Sequence, residues 1–354
     1  MDKIKLATVF SGIGAIEQAL IRLNYDFSIE FACDIDAYVK KSYFANYDIS
    51  ENKWYDDIHK IDGNIYRDKI DLFVGGSPCQ SFSMVGKRRG FEDFRGLLVF
   101  EFIRLVEEIS PKVFIFENVK GLLSHDSGKT WEILKDKFYS LGYQICPKVL
   151  NAKDYGIPQN RERLFVIGFR DKRNFKFPNP MELKIKVQDL LEDVPPVKYF
   201  LPDKGIKFVT DPKNIQKRYT QVDGDVALCK KANQQFNWHG DFVTQDIEKY
   251  YLSDSVKEYV LSTGTKNFCT RPEVDLEIAR PLLSTMAKMH RAGVDNYFTR
   301  GTRLRKLTPR ECLRLMGFPD SFKIVVRDTQ MYKQAGNSIV VDVLIHILES
   351  IYND

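Results

Sequence analysis

The chain has 354 residues, of which 44% are apolar and 29% charged, and its formal net charge at pH 7 is +5. At roughly 150 residues per domain, this length predicts two domains with a sizeable core and excludes a small scaffold held together by disulfides. No run of about 18 apolar residues predicts a membrane helix, and the start MDKIKLATVF lacks the pattern of a signal peptide. The basic charge is compatible with nucleic acid binding but does not by itself establish it.

Cysteine and histidine are sparse and scattered. The six cysteines form no C-x-x-C pair, and the five histidines do not cluster near them at the spacing of zinc ligands. We therefore expect reduced thiols, a cytoplasmic protein and no structural metal.

The first half of the chain alternates short β-rich runs with stretches of helical periodicity. This pattern predicts an α/β fold with a mostly parallel sheet and helices on both faces. Strands are expected at residues 5–10, 29–33, 71–75, 112–117, 144–150 and 163–169, and helices at 15–23, 37–46, 97–109 and 130–141.

The alternation fails after about residue 175. Residues 176–300 are polar and rich in proline, with interspersed aromatic and basic side chains. A disordered linker would be poorer in aromatic residues, so we expect a second, smaller and less regular domain. Helical character returns at 308–316, where Thr308, Pro309 and Glu311 form a predicted capping box. A final helix at 338–352 is expected to pack its apolar face on the first domain.

The segment from Phe10 to Glu17, FSGIGAIE, lies where the first strand turns into the first helix. Glycines at this position let the backbone approach a ligand at the helix N-terminus. Asp34 and Asp36 follow at the end of the second strand, where a carboxylate can accept hydrogen bonds from ribose hydroxyls, so a nucleoside cofactor is expected. Glu17 replaces the third glycine of a dinucleotide motif and would repel a pyrophosphate, whereas an S-adenosyl cofactor carries no phosphate and tolerates an acidic turn facing its sulfonium.

Three further strand ends carry reactive side chains, namely Cys79, Glu117 and the pair Arg161 and Arg163. The carboxyl ends of parallel strands line one crevice, and we expect the arginines on a strand running the other way, so that its entry meets the same rim. A thiol with an ordinary pKa near 8.5 is only about 3% thiolate at pH 7 and needs nearby cations to act as a nucleophile. A nucleophile, a buried acid and a carbonyl-oxygen clamp suit a pyrimidine ring, in which C5 becomes nucleophilic after a thiolate adds to C6.

With these motifs in view, the sequence strongly resembles the DNA (cytosine-5) methyltransferases of the bacterial or phage restriction-modification type, over nearly its whole length. The blocks occur in the family's order: FSGIG at 10–14, PCQ at 78–80, ENV at 117–119, QNRER at 159–163, the block from Arg305 to Pro319, and GNS at 336–338. The resemblance implies a Rossmann-like methyltransferase sheet and a target-recognition domain. The implied domains are a catalytic and cofactor-binding domain at 1–175, a target-recognition domain at 176–324 and a C-terminal helix at 325–354 that returns to the catalytic domain.

The resemblance also implies roles by position. Cys79 would be the nucleophile, Glu117 the partner of cytosine N3, Arg163 the ligand of O2 and Arg161 a support of the site. The residues implied for S-adenosylmethionine are Phe10, Gly12, Ile13, Gly14, Asp34, Ile35, Asp57, Ile58, Pro78, Leu98, Asn337 and Ser338. No metal is implied.

As partners, the resemblance implies double-stranded DNA, no membrane, a monomeric protein and a possible cognate restriction endonuclease that acts on the same site without direct contact. The expected reaction is methylation of C5 of a cytosine flipped out of a short specific site. The alternatives are a tRNA cytosine-5 methyltransferase, a catalytically silent DNA-binding relative and, less compatible with Glu17, a nicotinamide oxidoreductase. Val85, in the basic loop after Ser83, and residues 280–285 depart from the family pattern, so no base contacts are assigned.

Overall fold

The computed structural model describes residues 2–78, 98–193, 197–199, 201, 203–217, 219–230, 239–245, 264–265, 268–269 and 303–353. Its centre is a seven-stranded sheet with the strand order β3-β2-β1-β4-β5-β7-β6. The strands are β1 (Ile4–Val9), β2 (Phe27–Cys33), β3 (Trp54–Tyr55), β4 (Leu72–Gly75), β5 (Val113–Val119), β6 (Gln144–Asn151) and β7 (Glu162–Phe169). Every neighbouring pair is parallel except those of β7, which runs antiparallel to β5 and β6. The expected mostly parallel sheet and the reversed arginine strand are both confirmed.

Helices cover both faces of this sheet, as predicted. They include α1 (Ala15–Arg22), α2 (Ala37–Asn46), α3 (Leu98–Ile109) and α4 (Lys129–Ser140). Side chains alternate along β5, so that Val113 and Ile115 join one hydrophobic cluster and Phe114 and Phe116 join the other. The first cluster includes buried residues of α1, and the second includes those of α3 and α4.

The C-terminal part returns to the face of the sheet that α1 covers, through α7 (Pro309–Arg314), α8 (Asp328–Asn337) and α9 (Val341–Tyr352). The predicted capping box of Thr308 and Glu311 is present at the start of α7. Arg22 of α1 forms a bidentate ion pair with Asp342, at 2.8 and 2.9 Å, and so ties α1 to α9.

The single final helix predicted at 338–352 is wrong at its start. Ser338 and Val340 have extended backbones, and α9 begins only at Val341. The carbonyl oxygens of Gly336 and Ser338 accept hydrogen bonds from the Arg161 side chain, at 3.1 and 2.8 Å. A tertiary contact therefore takes carbonyls that a continuous helix would have used.

Within the described ranges, α8 and α9 taken together, Asp328–Tyr352, have the length and mean hydropathy (1.3) of a membrane-crossing helix. Of their most apolar part, 56% is buried inside the protein. The core helix of a water-soluble protein has the same properties, so this stretch is only weak evidence for a membrane span.

A second, three-stranded sheet lies in the later part of the chain, with the order β12-β9-β8. Strand β8 (Thr220–Val222) runs parallel to β9 (Gly240–Gln245), which pairs antiparallel with β12 (Arg303–Lys306). Two short helices, α5 (Asp203–Val209) and α6 (Pro212–Gln216), precede it, and a two-stranded ribbon of β10 (Gly264–Thr265) and β11 (Phe268–Cys269) lies between β9 and β12 in the chain. We call β8, β9 and β12 the small sheet.

Candidate active site

The turn from β1 into α1 is held by glycines at two left-handed positions. Gly12 has φ 55° and Gly14 has φ 78°, a region that favours glycine. A Cβ on Gly14 would lie 2.1 Å from the ring of Tyr47, whose hydroxyl donates to the carbonyl of Gly14 at 2.7 Å. A Cβ on Gly12 would meet nothing nearer than the Phe10 carbonyl at 3.9 Å. The turn is thus packed tightly on its inner side at Gly14 and stays open at Gly12.

Asp34, at the end of β2, fixes the outer side of this turn. Its Oδ2 accepts a hydrogen bond from the Gly12 amide at 3.0 Å, and its Oδ1 accepts one from the Asp36 amide at 3.0 Å. Burial raises the pKa of Asp34, although hydrogen bonds from these amides oppose that rise. The predicted glycine turn and its carboxylate are therefore in direct contact.

A cleft of about 450 Å³, open to solvent, lies over this turn. It is lined by Thr8, Val9, Phe10, Ser11, Gly12, Ala15, Ile16, Val74, Gly75, Gly76, Glu117, Asn337, Ser338 and Ile339. The cleft brings together predicted cofactor residues from both ends of the chain and the predicted acid Glu117. Glu117 is the only charged residue among the lining residues in the described part of the chain.

The expectation that Glu17 faces the cofactor is wrong. Its side chain is fully buried and is absent from the lining of the cleft. Its Oε1 accepts hydrogen bonds from the hydroxyls of Tyr43 and Thr8. Burial raises its pKa to about 7, and the hydrogen bond from Tyr43 opposes that rise. The acidic position thus belongs to the packing between α1 and α2.

Glu117, on β5, lies at the rim where β4, β5 and β7 meet. Its Oε1 is 3.2 Å from Nε of Arg163, and the two side chains are 13% and 18% exposed. Burial raises the pKa of Glu117, and the cations of Arg163 and Arg161 partly offset this effect. The backbone after β4 approaches closely, because a Cβ on Gly76 would lie 2.9 Å from Glu117 Oε2.

Arg161 is buried and bonds to backbone rather than to a carboxylate. Its Nη1 donates to the carbonyl of Lys230 at 2.9 Å, and its Nη2 donates to the carbonyls of Gly336 and Ser338. Burial lowers its pKa, and the neighbouring Arg163 acts in the same direction. Arg161 therefore connects the arginine motif to the segment that carries Asn337 and Ser338.

The other predicted site residues lie around this centre or outside the described residues. Ile13 is buried in the core, Ile35 is 85% exposed beside Asp34, and Ile58 is 5% exposed. Asp57 caps a short 3-10 helix at Ile58–Lys60. Pro78 follows β4 and Leu98 begins α3, and residues 79–97 between them lie outside the described residues. Cys79, the basic loop with Val85, and residues 280–285 lie outside the described residues.

Sequence reasoning did not single out Cys229 or Lys230. Cys229 Sγ lies 3.7 Å from Nη1 of Arg161 and 3.7 Å from Nη2 of Arg163. Both residues come from the irregular half of the chain, where no periodicity or motif spacing marks them. Only the folded chain brings them to the arginines.

Comparison with known proteins identifies the family. A model of the C-5 cytosine-specific DNA methylases matches residues 4–353, almost the entire chain. The chain belongs to this family. This DNA methylase is 33% identical to the type II methyltransferase M.HhaI of Haemophilus parahaemolyticus, covering 98% of this chain and 94% of that protein. It is also 33% identical to the type II methyltransferase M.SsoII of Shigella sonnei, covering 99% and 80%.

A phage protein and a solved structure are also similar to this methylase. The orphan methyltransferase M.SPRI of Bacillus phage SPR is 31% identical, covering 100% of this chain and 98% of that protein. The structure of the Entamoeba histolytica methyltransferase EhMeth matches with a TM-score of 0.69 at 17% identity, covering 100% and 99%. That likeness concerns the fold alone. Family membership excludes the nicotinamide oxidoreductase considered from the sequence.

The chain is thus a DNA cytosine-5 methyltransferase that uses S-adenosylmethionine. The cleft fits this cofactor, because its described lining contains no cation that would favour a pyrophosphate. It also leaves open space at Gly12, beside the Asp34 carboxylate. Phe10, Gly12 and Asp34 would hold the adenosine part, and Asn337 and Ser338 the methionine part. The cofactor supplies the methyl group.

Proposed function

We propose that this methylase modifies C5 of a cytosine flipped out of a short, specific site in double-stranded DNA, with Cys79 as the nucleophile. The observation that carries the proposal is the largely buried ion pair of Glu117 and Arg163 near the end of β5. The backbone at Gly76 packs against this pair, and Cys79 follows three residues later. A cytosine cannot be attacked at C6 while it is stacked, so it must leave the helix at a cost of a few kcal/mol.

The chemistry follows from these residue types. The thiolate of Cys79 adds to C6, and a proton shared with Glu117 supports N3, so that C5 becomes an enamine carbon that accepts a methyl group. Arg163 holds O2 and stabilises the negative charge that develops there. Loss of the C5 proton then expels the thiolate, the N3 proton returns to Glu117, and the aromatic ring is restored.

The environment of Glu117 suits a group that shares a proton. A glutamic acid with an ordinary pKa near 4.3 is protonated only about once in 500 at pH 7. Burial raises the pKa of Glu117, which favours the protonated acid, while Arg163 and Arg161 keep that rise in check. The balance supports an acid that gives its proton to N3 only when the base is in place.

The same proposal covers the domain division and the setting. Residues 1–175 would form the catalytic domain, 176–324 the target-recognition domain and 325–354 a C-terminal return to the catalytic domain. The small sheet, which is separate from the seven-stranded sheet, supports a distinct recognition unit. We place the protein in the cytoplasm as a monomer, with a possible cognate endonuclease that acts on the same DNA site without direct contact.

Bisulfite sequencing of plasmid DNA from cells that express the protein tests this function, with tRNA from the same cells assayed in parallel. We expect 5-methylcytosine at one cytosine of one short repeated sequence in the plasmid. Methylation confined to tRNA, or none in either nucleic acid, would overturn the proposal.

Two substitutions test the assigned chemistry. Cys79→Ser should abolish methyl transfer but leave DNA and cofactor binding measurable, whereas Cys146→Ser, on β6, should methylate like the wild type. Glu117→Gln should lower the single-turnover rate severely, with the exposed Glu132→Gln as the matched control. A normal rate for either active-site variant would remove that residue from the mechanism.

A further inference from the structure

We propose that residues 227–230, here called the bridging segment, position Arg161 and Arg163 for the target base, and that the ion pair of Lys230 and Asp241 anchors this segment to the small sheet. The inference rests on the proposed function, because it assigns a task to residues outside the reacting set. It gives the recognition half of the protein a direct physical connection to the base pocket.

The bridging segment pairs with the arginine motif through its backbone. The Ala227 amide donates to the Pro158 carbonyl at 2.7 Å, and the Asn160 amide donates to the Ala227 carbonyl at 2.7 Å. The Lys230 amide donates to Oε1 of the buried Gln159 at 3.0 Å. The segment therefore lies against residues 158–160, which lead directly into Arg161.

The same segment contacts both arginines. The Lys230 carbonyl accepts a hydrogen bond from Arg161 Nη1 at 2.9 Å, and Cys229 Sγ lies 3.7 Å from a guanidinium nitrogen of each arginine. Arg163 in turn pairs with Glu117. A displacement of residues 229–230 would therefore shift the cation that is proposed to hold cytosine O2.

The anchor is a buried ion pair. The side chains of Lys230 and Asp241 are 2% and 5% exposed, and Lys230 Nζ donates to Asp241 Oδ2. The other carboxylate oxygen accepts hydrogen bonds from the Leu228 amide at 2.9 Å and from Gln221 Nε2 at 3.1 Å. Asp241 lies on β9 and Gln221 on β8, so this one carboxylate joins the bridging segment to two strands of the small sheet.

A buried pair of this kind contributes little net stability relative to an apolar pair, but removal of one partner leaves an uncompensated charge in the interior. The side chain that keeps its charge must then move towards water or lose the charge. Either response pulls residues 228–230 out of register with Gln159 and the arginines. The expected effect of a broken pair is therefore a misplaced active site in a folded protein.

Lys230→Met, Asp241→Asn and Cys229→Ala test this positioning role in the full-length protein. The matched control is Lys186→Met, because Lys186 forms an exposed pair with Asp225, two residues before the bridging segment, with side chains that are 62% and 61% exposed. At a temperature where circular dichroism shows every variant folded, Lys230→Met and Asp241→Asn should lower the single-turnover rate at least tenfold. The dissociation constant for S-adenosylmethionine should change less than threefold, and Cys229→Ala should lower the rate several-fold. Lys230→Arg, which keeps the charge, should recover part of the rate.

If Lys230→Met and Asp241→Asn react within twofold of wild type and of Lys186→Met, the positioning role is refuted. A loss of thermal stability without a loss of rate per folded molecule would also refute it, since it would show a purely structural pair.

Amide hydrogen exchange separates this inference from the proposed function, because it needs no activity. In Lys230→Met the amides of Ala227 and Asn160 should exchange faster than in wild type and in Lys186→Met. If wild type never methylates DNA but exchange is still faster in Lys230→Met, the anchor is supported and the proposed function is refuted. If wild type does methylate DNA and the variants show normal exchange and normal rates, the anchor alone is refuted.

Discussion

The buried carboxyl of Glu17 makes a quantitative prediction about how stability depends on pH. Its side chain is fully buried between α1 and α2, and burial raises its pKa from the ordinary 4.5 to about 7. The perturbation is Glu17→Gln, which keeps an oxygen able to accept the hydrogen bond from Tyr43 and removes the ionisation.

The sign follows from proton binding. Between pH 4.5 and about 7 the folded protein holds a proton on Glu17 that the unfolded chain has released, so this group makes stability fall as pH rises. The cost is absent below the unfolded pKa and complete above the folded one. A shift of this size corresponds to about 3 kcal/mol of unfolding free energy.

The assay is urea unfolding of both proteins at about pH 5 and about pH 8, with the unfolding free energy taken from each curve. Relative to wild type, Glu17→Gln should gain about 2.5 kcal/mol in stability between the lower and the higher pH, less than the full shift because pH 5 already lies above the unfolded pKa. Any cost of placing the Gln amide where Glu17 Oε2 has no hydrogen-bond partner is the same at both pH values and cancels. The exposed Glu182→Gln reports the effect of this exchange at the surface.

A stability difference between Glu17→Gln and wild type that does not change with pH would refute this reasoning. A variant whose stability falls relative to wild type as pH rises would also refute it, because the carboxylate would then be favoured in the folded protein.

Two further predictions concern the cofactor turn. Gly14→Ala should weaken S-adenosylmethionine binding and lower stability by more than the roughly 1–2 kcal/mol of left-handed strain, because its Cβ would also collide with Tyr47. Gly142 has φ 83° and no atom within 4 Å of an added Cβ, so Gly142→Ala should show the strain alone. Equal thermal stability and equal cofactor affinity of the two variants, from thermal melts and calorimetry, would contradict the collision. Asp34→Asn should weaken cofactor binding about tenfold in calorimetry, because a neutral amide accepts more weakly than a carboxylate from the Gly12 amide and from ribose hydroxyls; unchanged affinity would remove Asp34 from the site.

Much of the fold could be predicted because it depends on local pattern. The apolar runs and helical periodicity place the predicted strands and helices of the first half within about two residues of their observed bounds. The two-residue strand β3 was missed, since Trp54 and Tyr55 are too short a run to show an alternation. The reversed direction of β7 was expected and is confirmed by its antiparallel pairing with β5.

The candidate site, like the fold, was predictable where it depends on local sequence and not where it depends on distant contacts. By itself, the sequence determined the reactive residue types, their places at successive strand ends and the family, because these are properties of composition and order along the chain. Only the tertiary structure decided that Glu17 turns into the core, that the final helix breaks at Ser338, and that Cys229 and Lys230 reach the arginines. Each of these outcomes depends on a partner far away in sequence, Tyr43 for the first and Arg161 for the other two. No local periodicity carries information about which distant group will donate a hydrogen bond.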